Sequence, residues 1–131
     1  MPEKITEKNI DKILKFLPYF EDKNSQFYEL KKEGNTLIFP YIYSVEVMAF
    51  MDVLRTENII FPFDWVKWQN EAIKYFNDPE LIESADILTL RKLLTLHIRK
   101  DRFCDGHLAS VIDYGHLLSL LKRLKKLRSN K

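Results

Sequence analysis

Between Asp86 and Arg128 apolar residues return every three or four positions: Leu90, Leu93, Leu94 and Ile98 in one run, and Leu117, Leu120, Leu121, Leu124 and Leu127 in another. That interval is the repeat of an α-helix, so each run lays one apolar stripe along a rod. Such a rod is stable in water only when its stripe is covered, and the two runs therefore require partners from the rest of the chain.

The partners are legible upstream. Thr6 is a fitting N-cap, with Ile5 before it and Ile10 after it at staple spacing, and it opens a helix carrying Ile10, Ile13, Leu14 and Leu17 that Pro18 is expected to stop. Ser44 opens a second helix to about Glu57, with Val47, Met48, Met51 and Leu54 along one side. Asp64 caps a third, in which Trp65, Trp68, Ala72, Ile73 and Phe76 are expected to face inward, and Asp78-Pro79 starts a short helical turn. Between the two leucine runs, Asp105 is a plausible cap for a helix from Gly106 to Tyr114, and Gly115 breaks it from the last. Residues 58–63 read as an extended apolar connection, because Pro62 disfavours the α region at Phe61, and residues 19–43 also resist a helical reading. Glu33-Gly34-Asn35 is a turn signal before the β-prone Thr36-Leu37-Ile38-Phe39, and Pro40 limits any strand there to a short edge piece.

These elements predict a mainly α fold: a compact bundle of five to six helices forming a single domain over residues 1–131, with an irregular segment or small hairpin near residues 19–43. A chain of 131 residues with 46% apolar side chains can bury a core, and its mixed charges argue against disorder. Every apolar run falls far short of the roughly twenty residues that span a bilayer, so no membrane association is expected. Met1–Asn9 is charged and does not read as a secretion signal, and the single cysteine, Cys104, cannot form an internal disulfide. Both features point to the cytoplasm, where thiols stay reduced.

Two stretches carry a resemblance. Tyr43-Ser44 followed by Phe63-Asp64-Trp65-Val66-Lys67-Trp68 is one. The other is Leu93-Leu94-Thr95, then Ile98 through Ala109 (Ile-Arg-Lys-Asp-Arg-Phe-Cys-Asp-Gly-His-Leu-Ala), ending in Gly115-His116 and Leu120-Leu121-Lys122-Arg123-Leu124. Over roughly Tyr43 to Leu127 the chain resembles a bacterial family of small proteins known as the domain of unknown function numbered 6508. The resemblance implies a shared fold and brings no activity with it.

The densest group of functional side chains is Arg99, Asp101, Arg102, Cys104, Asp105 and His107. Guanidiniums at the end of one helix facing the start of the next suit a phosphate or carboxylate. The competing structural reading pairs Arg99 and Arg102 with Asp64, Asp101 or Asp105 to pin the junction, and that reading weighs more. Arg99, Arg102, Asp105 and His107, with Asp64 and Trp68 from the preceding helix, are the expected ligand-binding residues. A nucleophilic Cys104 with His107 as its base is an alternative, against which a lone cysteine is usually a small packing residue. His97, Cys104, His107 and His116 are all potential zinc ligands, but their spacing matches no common framework, and His97 and His116 are expected near helix ends and partly exposed. No metal or cofactor is expected, and no catalytic residue can be assigned. Trp65 and Trp68 are more simply core than a stacking platform, and with only three glycines there is no phosphate loop.

Lys122, Arg123, Lys125, Lys126 and Arg128 give the last helix a basic end that suits either a helix dipole or nucleic-acid phosphates. Its wide leucine arc also allows self-association. The expected function is an interaction or ligand-binding module with its polar site at the Arg99–His107 junction. A small enzyme or metal-binding protein using Cys104 and His107 is one alternative, and nucleic-acid association through the basic helix is another.

Overall fold

The computed structural model describes residues 4–33 and 36–129, and for residues 31–33 and 36–40 the backbone alone. Among the described residues are seven α-helices and a two-stranded hairpin: α1 (Glu7–Leu14), α2 (Leu17–Glu21), β1 (Tyr28–Glu33), β2 (Thr36–Tyr43), α3 (Val45–Thr56), α4 (Trp65–Asn77), α5 (Ile87–Asp101), α6 (His107–Asp113) and α7 (His116–Ser129). A 3-10 helix, Pro79–Ser84, links α4 to α5. The mainly helical class stands, with one more helix than expected.

The additional helix follows from Pro18. Proline has no N–H to donate and its ring fixes a helical φ, so it is well suited to a first helical turn. It sits at the start of α2 and does not merely end α1. Of the caps read from the sequence, those at Thr6, Ser44, Asp64 and Asp78 are present, and Asp86 caps a further helix. The Thr6 hydroxyl accepts from Asn9 N and the Asn9 side chain accepts from Thr6 N, while Ser44, Asp64, Asp78 and Asp86 each accept a backbone N–H of the helix they open.

The hairpin occupies much of the segment that read as irregular. β1 and β2 run antiparallel with Tyr28 opposite Tyr43 and Glu33 opposite Thr36, and their register is interrupted between Leu30 and Lys32. Pro40 lies within that interruption, where a residue without an N–H costs the ladder least. β2 is eight residues long, so the proline breaks the pairing without ending the strand. The turn expected at Gly34-Asn35 lies outside the described residues.

The leucine stripes bury as their spacing requires. Leu90, Leu93, Leu108, Leu117, Leu120 and Leu121 join Ile10, Ile13, Val47, Phe50 and Leu54 in one continuous core, each nearly inaccessible to water. Each buried side chain of this size contributes roughly 1.5–3 kcal/mol relative to exposure. Two expectations for α3 and α4 fail. Met48 is exposed and Phe50 takes its place in the core, while Ile73 and Phe76 stay exposed and only Ala72 of α4 is fully buried. No helix among the described residues is long and apolar enough to cross a membrane.

Candidate functional site

α5 is the central rod. It packs against α4, α6 and α7, so the unbroken stretch Leu93–Ile98 is buried whatever its polarity, and Arg91 with it. Three polar side chains are thereby removed from water, and each needs partners. Arg91 has them: its Nε donates to the Ile59 carbonyl at 3.1 Å, its Nη2 to the Asn58 carbonyl at 2.7 Å, and its guanidinium lies 5.0 Å from the Phe61 ring. Thr95 completes this assembly, donating to the Arg91 carbonyl at 2.7 Å and accepting from Phe61 N at 3.3 Å. The α3–α4 connection, which passes through Asn58 at φ +59°, is thus fastened to α5.

Two turns further on, the corner between α5 and α6 is fastened to the hairpin. Asp101 Oδ1 accepts both Leu108 N, at 2.9 Å, and the Tyr43 hydroxyl, at 2.7 Å, and the same hydroxyl accepts from Ala109 N at 3.1 Å. Burial and the neighbouring Asp101 carboxylate push the Tyr43 hydroxyl well above its ordinary pKa, so it stays protonated and keeps donating. The Asp105 carboxylate accepts from Tyr41 N, at 3.2 Å to its nearer oxygen. Asp105 therefore ties the strand to the corner; it does not cap α6, whose N-cap is Gly106 without a side-chain bond. Gly106 has φ +80°, and a Cβ there would lie 2.2 Å from Tyr41 Cε2, so the corner requires glycine twice over.

This corner folds α6 back along α5 and brings His107 against His97, with His97 Nδ1 3.0 Å from His107 Nε2. His116, at the start of α7, meets His97 edge to face, with centroids 5.0 Å apart. All three histidines of the chain converge here. His97 and His116 are only 4% and 5% exposed, which overturns the expectation of partly exposed rings near helix ends. The Nε2 atoms of both are buried and have no hydrogen-bond partner among the described residues. For His97 no tautomer removes the problem. If Nδ1 donates to His107, Nε2 is a bare acceptor; if Nδ1 accepts, Nε2 carries the unmatched proton. All three basicities are depressed, first by burial. His116 and His107 lower His97 further, Lys100 lowers both His97 and His107, and Asp101 partly offsets the shift at His107. His116 is brought down to about 4, so the cluster is neutral at physiological pH.

His97 and His107 line a cleft of about 350 Å³ between α4, α5 and α6. Ala72, Ile73, Phe76, Leu96 and Val111 give it apolar walls, and Gln69, Asn70, Lys100 and Ser110 add polar groups. Phe76 also packs on the His116 ring at 5.2 Å between centroids, and with His116 it borders a smaller cavity of about 180 Å³.

Of the ligand-binding residues expected from the sequence, His107 alone lines this cleft, joined by His97, which the sequence offered only as a potential zinc ligand. Arg99 is half-buried and Arg102 exposed, and among the described residues neither forms an ion pair, because Asp101 and Asp105 are engaged by Tyr43, Leu108 and Tyr41. The ion-paired junction expected from the sequence is replaced by carboxylates bonded to backbone N–H groups and a tyrosine. Asp64 caps α4 through Lys67 N. Trp68 is half-buried beside Phe63 and Tyr75, with Lys92 Nζ 5.6 Å from its ring. Cys104 is exposed, whereas the His107 ring is turned to His97. Among the described residues no three His, Cys, Asp or Glu side chains are placed to hold a metal ion. On α7, Lys122, Lys125 and Lys126 are exposed, but Arg123 Nε is bonded to the Ala85 carbonyl at 2.9 Å, and Lys122, Arg123 and Lys126 share a groove with Glu80 and Glu83. Arg128 pairs with Asp11 and Glu7. The basic end of α7 is thus partly neutralised by its own chain, and the leucine arc is largely spent in the core, leaving Leu118 and Leu127 partly buried.

The sequence offers His97 only as a potential zinc ligand near a helix end; its place as a polar residue inside a leucine stripe is the signal for its burial. The periodic run buries its neighbours, so a histidine there is buried too.

No curated protein and no solved structure matches the chain. The model of a family of unknown function, DUF6508, matches residues 5–130 and so takes in α1, α2 and the hairpin as well as the stretches from Tyr43 onward. The chain belongs to this family of unknown function.

Proposed function

We propose that this chain, acting as a single domain, is a small-molecule-binding module whose site is the cleft between α4, α5 and α6. The observation that carries the reading is the pairing of an apolar cavity with a buried, incompletely satisfied histidine cluster at its wall. Folded proteins leave few buried polar atoms unpaired, so each such atom calls for a partner or a role. An apolar pocket with a few convergent polar groups and perturbed titratable residues is the usual form of a ligand site. The polar site expected at the Arg99–His107 junction therefore moves inward, keeping His107 and exchanging the arginines for Lys100 and His97. A reducing compartment suits the exposed Cys104 thiol, and we place this activity in the cytoplasm.

The test is a fragment screen followed by backbone amide NMR. Compounds that bind are expected to shift amides of residues 69–76, 96–100 and 107–111 together. Ile73→Trp, at a position 56% exposed, should fold normally, fill the cleft and abolish those shifts. The reading fails when no fragment perturbs this set, or when binding is indifferent to Ile73→Trp.

A further inference from the structure

The lining of the cleft also specifies the class of molecule it would hold. Among the described residues Lys100 is its only formally charged side chain, and no carboxylate lines it. The charged neighbours of α4, Glu71 and Lys74, are paired with each other at 2.9 Å, and neither lines the cleft. Asp101, next to Lys100, is bonded to Leu108 N and the Tyr43 hydroxyl. The cleft is therefore a weakly positive, apolar-walled cavity. A cation entering it would meet Lys100 and gain no counter-charge, while a neutral hydrocarbon would leave Lys100 and the His97–His107 pair without a polar partner.

Among anions, phosphate is poorly served. Phosphate sites draw on free N–H groups at a helix start or on several cations, and here the first N–H groups of α6 are already taken, Leu108 N by Asp101 and Ala109 N by Tyr43. A single carboxylate needs less. One ammonium, with a hydroxyl or amide beside it, balances its charge and satisfies its lone pairs. Gln69, Asn70 and Ser110 are the neutral donors available in the same cleft. Its volume lies at the small end of the range for ligand sites, which suits a compact aliphatic or aryl body against Ile73, Leu96 and Val111.

We propose that the cleft binds a small monocarboxylate with an apolar body, its head group at Lys100 and its carbon skeleton along α4 and α6. The proposal rests on the binding-module reading and sharpens it. Burial is the main cause of the lowered basicity of His97 and His107, and an anion beside Lys100 offsets only the smaller part that Lys100 adds.

The experiment compares octanoate and phenylacetate with their neutral primary amides, using calorimetry for affinity and the ring resonances of the three histidines for location. Each carboxylate is expected to bind at least tenfold more tightly than its amide and to move the His97 and His107 signals. Lys100→Gln, a substitution at a half-buried helix position that leaves the core intact, should remove that tenfold advantage while amide binding is unchanged. Equal binding of acid and amide within the cleft overturns the carboxylate assignment and leaves the binding module standing. Tighter acid binding that survives Lys100→Gln, or that leaves the histidine signals unmoved, also overturns it. Failure of all four compounds, together with an empty fragment screen, overturns both.

Discussion

α5 carries two buried polar assemblies six residues apart, and they are finished to different degrees. At Arg91 the guanidinium reaches the carbonyls of Asn58 and Ile59 and the face of Phe61, and Thr95 takes up both a donor and an acceptor. At His97 one ring nitrogen meets His107, the other has no partner among the described residues, and His116 repeats the deficit. Both groups lie on the same helix at the same depth, so burial alone does not separate them. The Arg91 assembly has the form of a structural clasp, its Nε and Nη2 and the Thr95 hydroxyl turned to the α3–α4 connection. The histidine assembly retains hydrogen-bonding capacity beside a cavity, and a site that must accept something from outside needs that capacity.

Removing the clasp should therefore cost far more than altering the site. Arg91→Met keeps the stem of the side chain but leaves the Asn58 and Ile59 carbonyls without their charged donor. The expected loss is about 3 kcal/mol, from buried acceptors stripped of charge-assisted bonds. Urea unfolding at neutral pH measures it. A loss under about 1 kcal/mol would mean that water replaces the guanidinium there, and the contrast between the two assemblies would collapse.

Acid should strike the other assembly. A buried histidine whose folded pKa is depressed binds its proton more readily when unfolded, so its contribution is complete above the unfolded value near 6.5 and is lost as pH falls toward the folded value. For His116 the window runs from about 6.5 down to about 4, and its protonation alone should withdraw roughly 3 kcal/mol across it. His97 and His107 shift in the same direction. The groups facing the cluster are Lys100 and Asp101 on α5 and the three rings themselves, and only Asp101 opposes the loss. Stability measured from pH 7 to 4.5 should fall steeply in wild type and less steeply in His116→Leu. Parallel slopes would show that His116 is not what titrates.

How much of this was legible beforehand follows from which forces are local. The stripes through Leu90–Ile98 and Leu117–Leu124 and the caps at Thr6, Ser44, Asp64 and Asp78 depend on neighbours within a turn or two, and sequence spacing reveals them. Pro18 was read as a stop because its effect on the preceding turn is as local as its fitness for the next. The outward turn of Ile73 and Phe76 depends on where α5 and α6 lie, which no periodicity within α4 encodes. The same holds for the site. Arg99 and Arg102 were plausible partners for Asp101 and Asp105 in sequence, but the hairpin, 60 or so residues away, delivers Tyr41 and Tyr43 to those carboxylates first. His97, His107 and His116 are separated by nine or ten positions on three helices, and only the Gly106 corner makes them neighbours.

That corner supplies a smaller, sharper test, because it positions the histidines and leaves Arg91 alone. Gly106 and Gly115 both have left-handed φ, +80° and +77°, but a Cβ at Gly106 runs into the Tyr41 ring while one at Gly115 meets nothing within 4 Å. Gly115→Ala should cost about 1 kcal/mol, the backbone penalty alone, and Gly106→Ala about 2 kcal/mol because Tyr41 must also move. In Gly106→Ala the histidine ring resonances should shift while the Phe61 and Thr95 amides stay in place. Equal losses from the two substitutions would mean that Tyr41 yields freely, and the hairpin would then have no part in holding the site.

The smallest effect expected is the one most diagnostic of an unfinished assembly. His116→Leu removes a buried nitrogen that has no partner and replaces the ring with an apolar side chain of similar bulk. Deleting an unsatisfied polar atom relieves its desolvation cost, which offsets the lost packing against Phe76 and His97. At pH 7.5, where the ring is neutral, stability should stay within about 1 kcal/mol of wild type. Arg91→Met at the same pH should exceed that change severalfold. A large loss from His116→Leu would instead show that Nε2 has a partner in solution, a water bridging it to His97 Nε2 being the simplest. The histidine assembly would then be as finished as the clasp beside it, and the difference in chemistry between the two ends of α5 would no longer point to a site.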